Sequence, residues 1–363
     1  MGRLVPIRRM HVAVDARALR RSGRARGVAR YLRCLLEELQ RLFPEDRYEL
    51  VDPGRFRLAA SAITGRPRLD RLAPGCDVVW LPAPAPVAVS AGMPYVLTVH
   101  DLSFEHRARD YPLYDRLWQR LARPARLAQR AERVICVSET TRQAAIEEWR
   151  ANAGRTRTVL SGPGRPPPGP TGSPPDSGSA PLTALSRLPE TFVVGVGALE
   201  PRKLPGVLAE AHARARTDGL TAALVFAGDG PLRRELERRG ATVLGHVSDA
   251  VLDGLYERAL AVVCASREEG FGFTPLEAAV RGTPAIVADL PVFDETLSDA
   301  ALRVPPGDAE ALAAALLRLE REPGLRNQLA SAARDAAGRL SWEKAARETR
   351  AILEDAQSGN RIL

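Results

Sequence analysis

Short apolar runs alternate with longer amphipathic stretches along this chain. The runs at residues 11–15, 48–51, 77–81, 95–99 and 134–137 read as strands, and a second series follows at 191–197, 223–227, 241–244, 261–265 and 285–288. Brief, nearly continuous apolar runs suit strands buried on both faces of a parallel sheet. Between them lie helical patterns. Residues 27–42 carry Val28, Tyr31, Leu32, Leu35, Leu36, Leu39 and Leu42 at the spacing of one helix face, and Pro44 ends the pattern. Residues 113–130 read as one long Arg/Leu helix, Ser138 as the cap of a helix with Thr141 in its first turn, and 308–356 as helical, with Trp342 opening the last helix. Strands alternating with helices predict an α/β chain with doubly wound parallel sheets.

One segment breaks the alternation. Residues 159–189 are rich in Pro, Gly and Ser and nearly devoid of apolar residues, as expected of a linker. At 363 residues the chain exceeds one ordinary core. The expected division is a first domain over 1–160, a linker over 161–190, a second domain over 191–340 and a terminal helix over 341–363.

The densest chemistry lies at residues 264–288. An apolar run ending at Ala265 is followed by Gly270 and Gly272, then by Thr274-Pro275-Leu276-Glu277, which has the form of a capping box with Thr274 at the N-cap. A Gly-rich loop opening onto a helix presents unpaired backbone N–H groups and the positive end of the helix dipole, which together favour phosphate. Glu269 and Glu277 flank it with seven residues between them. Each alone is explained as a solvated loop charge or a capping residue. A carboxylate beside a phosphate site is unfavourable unless it binds something else, and sugar hydroxyls fit.

Three further stretches stand at strand ends. His100-Asp101 follows the run at 95–99, where ligands of α/β sheets bind, although a lone His is ordinarily a hydrogen-bonded structural residue. Residues 195–203 read GVGALEPRK: Gly195 and Gly197 fit a dinucleotide fingerprint, but Glu200 occupies its third glycine position. Arg202 and Lys203 sit at a predicted helix start, where the dipole disfavours cations unless an anion binds. Gly228 lies in the turn AGDGP, and Val247 follows the run at 241–244.

Taken together, these motifs resemble retaining, nucleotide-sugar-dependent glycosyltransferases of family four, the group 1 glycosyltransferases, and their mannosyltransferase-like members in particular. The resemblance rests on EGFGFTPLEA, with its E-x7-E spacing, on EPRK, GDGP and TVHDLSFEH, and on DAR…GVARY near the N-terminus. It departs at Ala29, where a second glycine is usual, and at Leu204, where Asn is usual.

The resemblance implies the GT-B fold, two Rossmann-like domains facing across a cleft, with the terminal helix crossing back to the first. It implies Arg202 and Lys203 on the donor diphosphate with the N–H groups of Gly270, Phe271, Gly272 and Phe273. Glu277 falls on the ribose, Glu269 on the sugar, and Gly228 and Val247 near the nucleotide. His100 approaches the sugar, and Gly27 faces the phosphates and acceptor. The implied reaction is front-face hexosyl transfer from a nucleoside-diphosphate sugar, GDP- or UDP-linked, with GDP-mannose favoured by the first domain. The acceptor is a glycan, a lipid-linked sugar or a small molecule, as in polysaccharide biosynthesis. No cofactor and no metal are expected, since the basic side chains and N–H groups stabilise the leaving diphosphate.

Composition narrows the alternatives. The net charge is +8, with arginines crowded between Arg17 and Arg33, and aromatic residues are 5%. Nucleic acid ranks last because no RNA-binding aromatic motif is present, leaving anionic substrates and a peripheral contact with an anionic membrane. No run approaches the ~20 apolar residues that span a bilayer. The N-terminus lacks a signal-peptide core, and the four cysteines are scattered without a CxxC pair. A cytoplasmic protein, acting there or at the inner face of the membrane, is expected. Two other readings remain open: an NAD-linked oxidoreductase or sugar-nucleotide epimerase, and a non-catalytic sugar-nucleotide-binding protein.

Overall fold

The computed structural model describes residues 9–19, 26–52, 54, 64–164 and 183–359. The chain forms two compact units, Met1–Gly162 together with Ser341–Leu363, and Pro163–Leu340. Residues 165–182 of the expected linker, and the arginines at 20, 21 and 24, lie outside the described residues.

The first unit is built on strands β1 (His11–Asp15), β2 (Arg47–Val51), β3 (Val78–Leu81), β4 (Tyr95–Val99), β5 (Arg133–Cys136) and β6 (Thr156–Thr158). They form one sheet in the order β2-β1-β3-β4-β5-β6, every pair parallel. The central strand reads VVWL and is wholly buried, as a strand covered by helices on both faces must be. The apolar stripe of the helix Arg26–Leu42 puts Tyr31, Leu32, Leu35 and Leu39 into the core.

The helix Trp342–Gly359 packs on that helix and on β3, β4 and β5. Its fixing point is a buried ion pair: the Arg350 Nε donates to Asp46 Oδ2 at 2.8 Å, and the Met10 N–H donates to Asp46 Oδ1 at 2.9 Å. Trp342 lies against Gly162, where a Cβ would overlap the indole ring.

The second unit repeats the plan. Strands β7 (Phe192–Val196), β8 (Ala223–Ala227), β9 (Thr242–Val243), β10 (Ala261–Cys264), β11 (Ala285–Ala288) and β12 (Ala301–Val304) form a second parallel sheet, β12-β11-β10-β7-β8-β9. Residues 183–190 belong to this unit, with Leu188 buried beside Phe192.

Each sheet winds outward in one direction, then returns to the other side of its first strand. The reversal falls between β1 and β3 in the first sheet and between β7 and β10 in the second. Loops at the carboxyl ends of such strand pairs splay apart and leave a crevice, the usual ligand site of an open α/β sheet.

One expectation of the pattern is corrected. The stretch at 113–130 is two helices, Leu113–Ala122 and Pro124–Arg130, broken at Arg123, which takes a left-handed conformation with φ 49°. Pro124 supplies the reason, since it cannot donate the hydrogen bond that continuation would need. The helical tract at 308–356 comprises three helices, Ala309–Arg321, Pro323–Gly338 and Trp342–Gly359, and Trp342 opens the last of them as expected.

Candidate active site

The crevice at the β7/β10 reversal gathers most of the residues singled out by sequence. After β7 the chain makes a single 3-10 turn, Pro201–Lys203, and then the helix Pro205–Thr217. Arg202 and Lys203 therefore precede the helix rather than open it. The residue between, Leu204, has φ 51°, a left-handed conformation that costs a branched side chain and suits Asn better. The Arg267 N–H donates to the Arg202 carbonyl at 3.0 Å, which ties this turn to the loop after β10.

That tie brings Lys203 onto Glu269. Three donors converge on one carboxylate oxygen: Lys203 Nζ at 2.5 Å, Ser266 Oγ at 2.6 Å and Cys264 Sγ at 3.4 Å from Glu269 Oε1. Burial opposes ionisation of Glu269, but the charge and hydrogen bond of Lys203, the Ser266 hydroxyl and the charge of Arg202 outweigh it, and the carboxyl lies below its ordinary range. The Cys264 thiol is pushed up to about 12, first by burial and then by the Glu269 charge. It is therefore a neutral donor here. The Arg202 Nε donates to Glu200 Oε2 at 3.2 Å, so the acidic residue at the third fingerprint position is engaged with its neighbour.

The helix beyond the loop begins earlier than the capping-box pattern implies. It runs Phe273–Val280, with Gly272 at the N-cap in a left-handed conformation, φ 84° and ψ 50°, and with no side-chain cap. Thr274 is thus not the N-cap, and Thr274, Pro275 and Glu277 occupy the second, third and fifth helical positions. The turn requires glycine twice over: its φ is positive, and a Cβ would stand 2.5 Å from Phe293 Cε1. Pro275 is tolerated because first-turn N–H groups have no partner within the helix.

Freed from capping, Glu277 turns inward. It is 5% exposed, and the buried Tyr256 hydroxyl on the helix Asp249–Arg258 donates to its Oε2 at 2.9 Å. Phe271 is buried and packs on Phe273, ring centres 4.9 Å apart, which anchors the loop between the two carboxylates.

Gly228 ends β8, and its φ is 150°. A Cβ there would overlap the Gly197 carbonyl oxygen, so the loops after β7 and β8 meet backbone to backbone. Gly228 also bridges to Gly245, next to the exposed His246 and half-buried Val247.

The first unit holds the remaining two residues. His100 follows β4, and its Nε2 lies 2.9 Å from the Pro82 carbonyl. A carbonyl only accepts, so Nε2 carries the proton and Nδ1 is the acceptor. Burial lowers the His100 pKa against the opposing effects of that carbonyl and Asp101, so the ring is neutral. Its edge-to-face partner is Tyr31, centroids 4.8 Å apart. Gly27 lies in the first turn of its helix, exposed, in open space that would admit a Cβ without contact within 4 Å.

Sequence reasoning missed four partners. Ser266, Cys264 and Tyr256 donate to the two carboxylates as described. In the first unit, Arg17 closes the β1/β3 reversal: its Nε donates to the buried Asp15 at 2.9 Å, its Nη2 donates to the carbonyls of both Ala83 and Pro84, and its guanidinium lies 5.5 Å over the Trp118 ring. Burial raises the Asp15 pKa, against the pull of Arg17. The only local signals were a Ser three residues before Glu269 and an Asp two before Arg17.

Comparison with known proteins places the chain in a family. The profile "Glycosyl transferases group 1" matches residues 184–336, and "Glycosyltransferase Family 4" matches residues 16–162. The chain belongs to the family 4, group 1 glycosyltransferases.

Among relatives of this family, the O-antigen chain mannosyltransferase RfbU of Salmonella typhimurium is 44% identical over 82 residues, 23% of each chain. The phosphatidyl-myo-inositol mannosyltransferase of Mycobacterium leprae is 33% identical over 51% of this chain and 52% of its own length. The matches thus span about half or less of these relatives. The solved structure of Anabaena HepE in complex with UDP-glucose covers 95% of this chain and 99% of its own, with a TM-score of 0.67 at 19% identity. At that identity the likeness concerns fold, and it agrees with two parallel sheets of the GT-B class.

Proposed function

We propose that the protein is a retaining hexosyltransferase that takes its sugar from a nucleoside-diphosphate donor. The observation that carries this reading is the convergence, at the reversal of the second sheet, of a cation-held carboxylate, Glu269, with an uncapped helix N-terminus at Gly272–Phe273. The first suits a sugar carrying developing positive charge, and the second a leaving diphosphate.

In this proposal Arg202, Lys203 and the N–H groups from Gly270 to Phe273 take up the charge on the diphosphate. That removes the need for a metal ion. Glu269 meets the sugar and Glu277 the ribose hydroxyls. Gly228 and Val247 border the nucleotide, and His100 and Gly27 are the first unit's contributions to sugar and acceptor. Lys203 must serve both Glu269 and the arriving phosphate, so donor binding redistributes its hydrogen bonds. Mannose is the proposed sugar, supported by the mannosyltransferases among the relatives. UDP-glucose is the competing donor, since a structural neighbour holds it. The four cysteines are buried and none is in a disulfide, which supports a reducing compartment. Among the described residues no helix is long and apolar enough to cross a membrane.

A thermal-shift screen of GDP-mannose, UDP-glucose, GDP, UDP and NAD tests donor binding, because a ligand of the folded state raises Tm. Single-turnover transfer in the presence of a chelator then tests the chemistry. Donor binding without any turnover would favour the non-catalytic reading, and a Tm response to NAD alone would favour the oxidoreductase.

A further inference from the structure

Two residues singled out by the sequence pattern, Tyr31 and Thr141, take no part in the donor site described above. The structure brings both onto His100.

Tyr31 lies on the helix Arg26–Leu42 and is fully buried. Its ring stands perpendicular to the imidazole, at 88°, with centroids 4.8 Å apart. It also meets the Trp342 ring at 6.2 Å, so the terminal helix backs the contact. Perpendicular aromatic pairs have a preferred orientation, so turning of the imidazole is opposed. The Tyr31 hydroxyl, buried beside Thr98, has no hydrogen-bond partner of ordinary geometry among the described residues. The ring, rather than the hydroxyl, is therefore what Tyr31 brings to this contact.

Thr141 acts on the backbone of the same residue. It is buried in the first turn of the helix Glu139–Glu147. Its hydroxyl donates to the His100 carbonyl at 3.3 Å and accepts from Ser138 Oγ at 2.9 Å. Ser138 Oγ in turn accepts from the Thr141 N–H at 3.1 Å, which caps the helix. The end of β4 is thereby fastened to the next helix.

His100 is thus held by the loop after β3, through Pro82, and by two helices. Asp101 is the charged group beside the ring and favours its protonation, as the Pro82 carbonyl does, but burial outweighs both. A neutral imidazole whose Nε2 proton is spent on a carbonyl can only accept, through Nδ1. A ring free to turn would offer a donor and an acceptor alternately. A ligand hydroxyl needs one of them in a constant place.

We propose that Tyr31 and Thr141 are positioning residues, which fix the His100 imidazole as a hydrogen-bond acceptor for a hydroxyl of the transferred sugar. The positioning stands on contacts within the first unit, and the sugar's part rests on the function proposed above.

Nitrogen-15 NMR of the full chain, labelled at its five histidines, tests the positioning without donor. His100→Gln identifies the His100 signals. The wild type should show a single His100 tautomer at neutral pH, protonated at Nε2. Tyr31→Leu should give a mixture of tautomers. Tyr31→Phe should restore the single tautomer and keep or raise Tm, since it removes a buried hydroxyl without a partner. Thr141→Val should shift or broaden the His100 signals. Asp70→Ala, which removes the acceptor of the Ser90 hydrogen bonds in the same unit, should lower Tm and leave the tautomer alone.

In single-turnover transfer, Tyr31→Leu and Thr141→Val should lower kcat about three- to tenfold with the KM for donor little changed. A tautomeric mixture in the wild type overturns the proposal, and this measurement stands even where Tyr31→Leu fails to fold. An unchanged His100 spectrum in folded Tyr31→Leu and Thr141→Val also overturns it. A mixture in Tyr31→Leu with normal kcat overturns the sugar's part alone. A single wild-type tautomer without any turnover upholds the positioning and counts against the proposed function.

Discussion

Glu269 and Glu277 are both carboxylates on one unit, both withdrawn from solvent, and they are held in opposite ways. Glu269 is held by a cation from a different strand end, with Ser266 and Cys264 on the same oxygen. Glu277 takes a neutral phenol hydroxyl from a neighbouring helix. A cation-held carboxylate stays ionised and resists movement, as a group facing positive charge needs to. A phenol hydroxyl positions a carboxylate without placing an opposite charge on it. Identical residue types, eight positions apart, thus acquire different chemistry from partners the motif does not include.

The largest expected effect tests the cation-held member. Glu269→Gln should lower kcat about a hundredfold, the scale on which a single preorganised electrostatic group acts, in single-turnover transfer. It should also lower stability by about 1–2 kcal/mol, because a charge-assisted hydrogen bond to Lys203 is lost. Unchanged kcat would make Glu269 a structural anchor for the loop.

Next, Lys203→Ala should reduce kcat/KM for the donor at least about tenfold, roughly 1.4 kcal/mol. It should also destabilise the second unit by about 2 kcal/mol, read from chemical denaturation, since the buried Glu269 loses its main compensation. Normal donor kinetics with lowered stability would reduce Lys203 to a partner of Glu269.

The same pair gives the pH dependence. The folded-state pKa of Glu269 is depressed, so its contribution to stability is present above the ordinary carboxylate value and is lost as pH falls through the folded value. The Tm difference between wild type and Lys203→Ala should therefore shrink as pH is lowered below about 4. A difference constant down to acid pH would mean that the pair does not control the titration.

Smaller effects are expected at the phenol-held member. Glu277→Gln retains an oxygen for the Tyr256 hydroxyl, so stability should change by less than about 1 kcal/mol while donor affinity falls several-fold, measured by calorimetry. Tyr256→Phe should cost about 1 kcal/mol of stability and weaken the donor less than Glu277→Gln does. If Tyr256→Phe proved the more damaging to affinity, the two carboxylates would be alike in depending on their anchors.

What the sequence revealed of this pair, and of the fold, follows from range. Central strands were legible because burial on both faces makes them continuously apolar, as in β3 and β10. The edge strands β6, reading TRT, and β12, reading ALRV, were not, because an edge needs no such run. The E-x7-E spacing marked the candidate site, yet its local reading as a capping box was wrong. The left-handed Gly272 starts the helix at Phe273, and the Phe293 ring beside it comes from a helix beyond β11. Lys203 and Glu269 are 66 residues apart and Tyr256 and Glu277 are 21 apart. No short motif can encode such pairings; only the sheet order brings them together.

The buried pair of Arg350 with Asp46 sets a timetable for synthesis. The residues that complete the first unit leave the ribosome after the entire second unit has been made. Until then Asp46, and the apolar faces on β3–β5 and the helix Arg26–Leu42, wait without their cover. The second unit, whose described contacts are confined to one continuous stretch, can close while the first is still open. Domains made N-terminal first commonly fold in that order, whereas here the first unit lacks its last helix until synthesis ends. A chain stopped before residue 341 would hold a finished second unit and an exposed first one, and would be a substrate for chaperones and proteases.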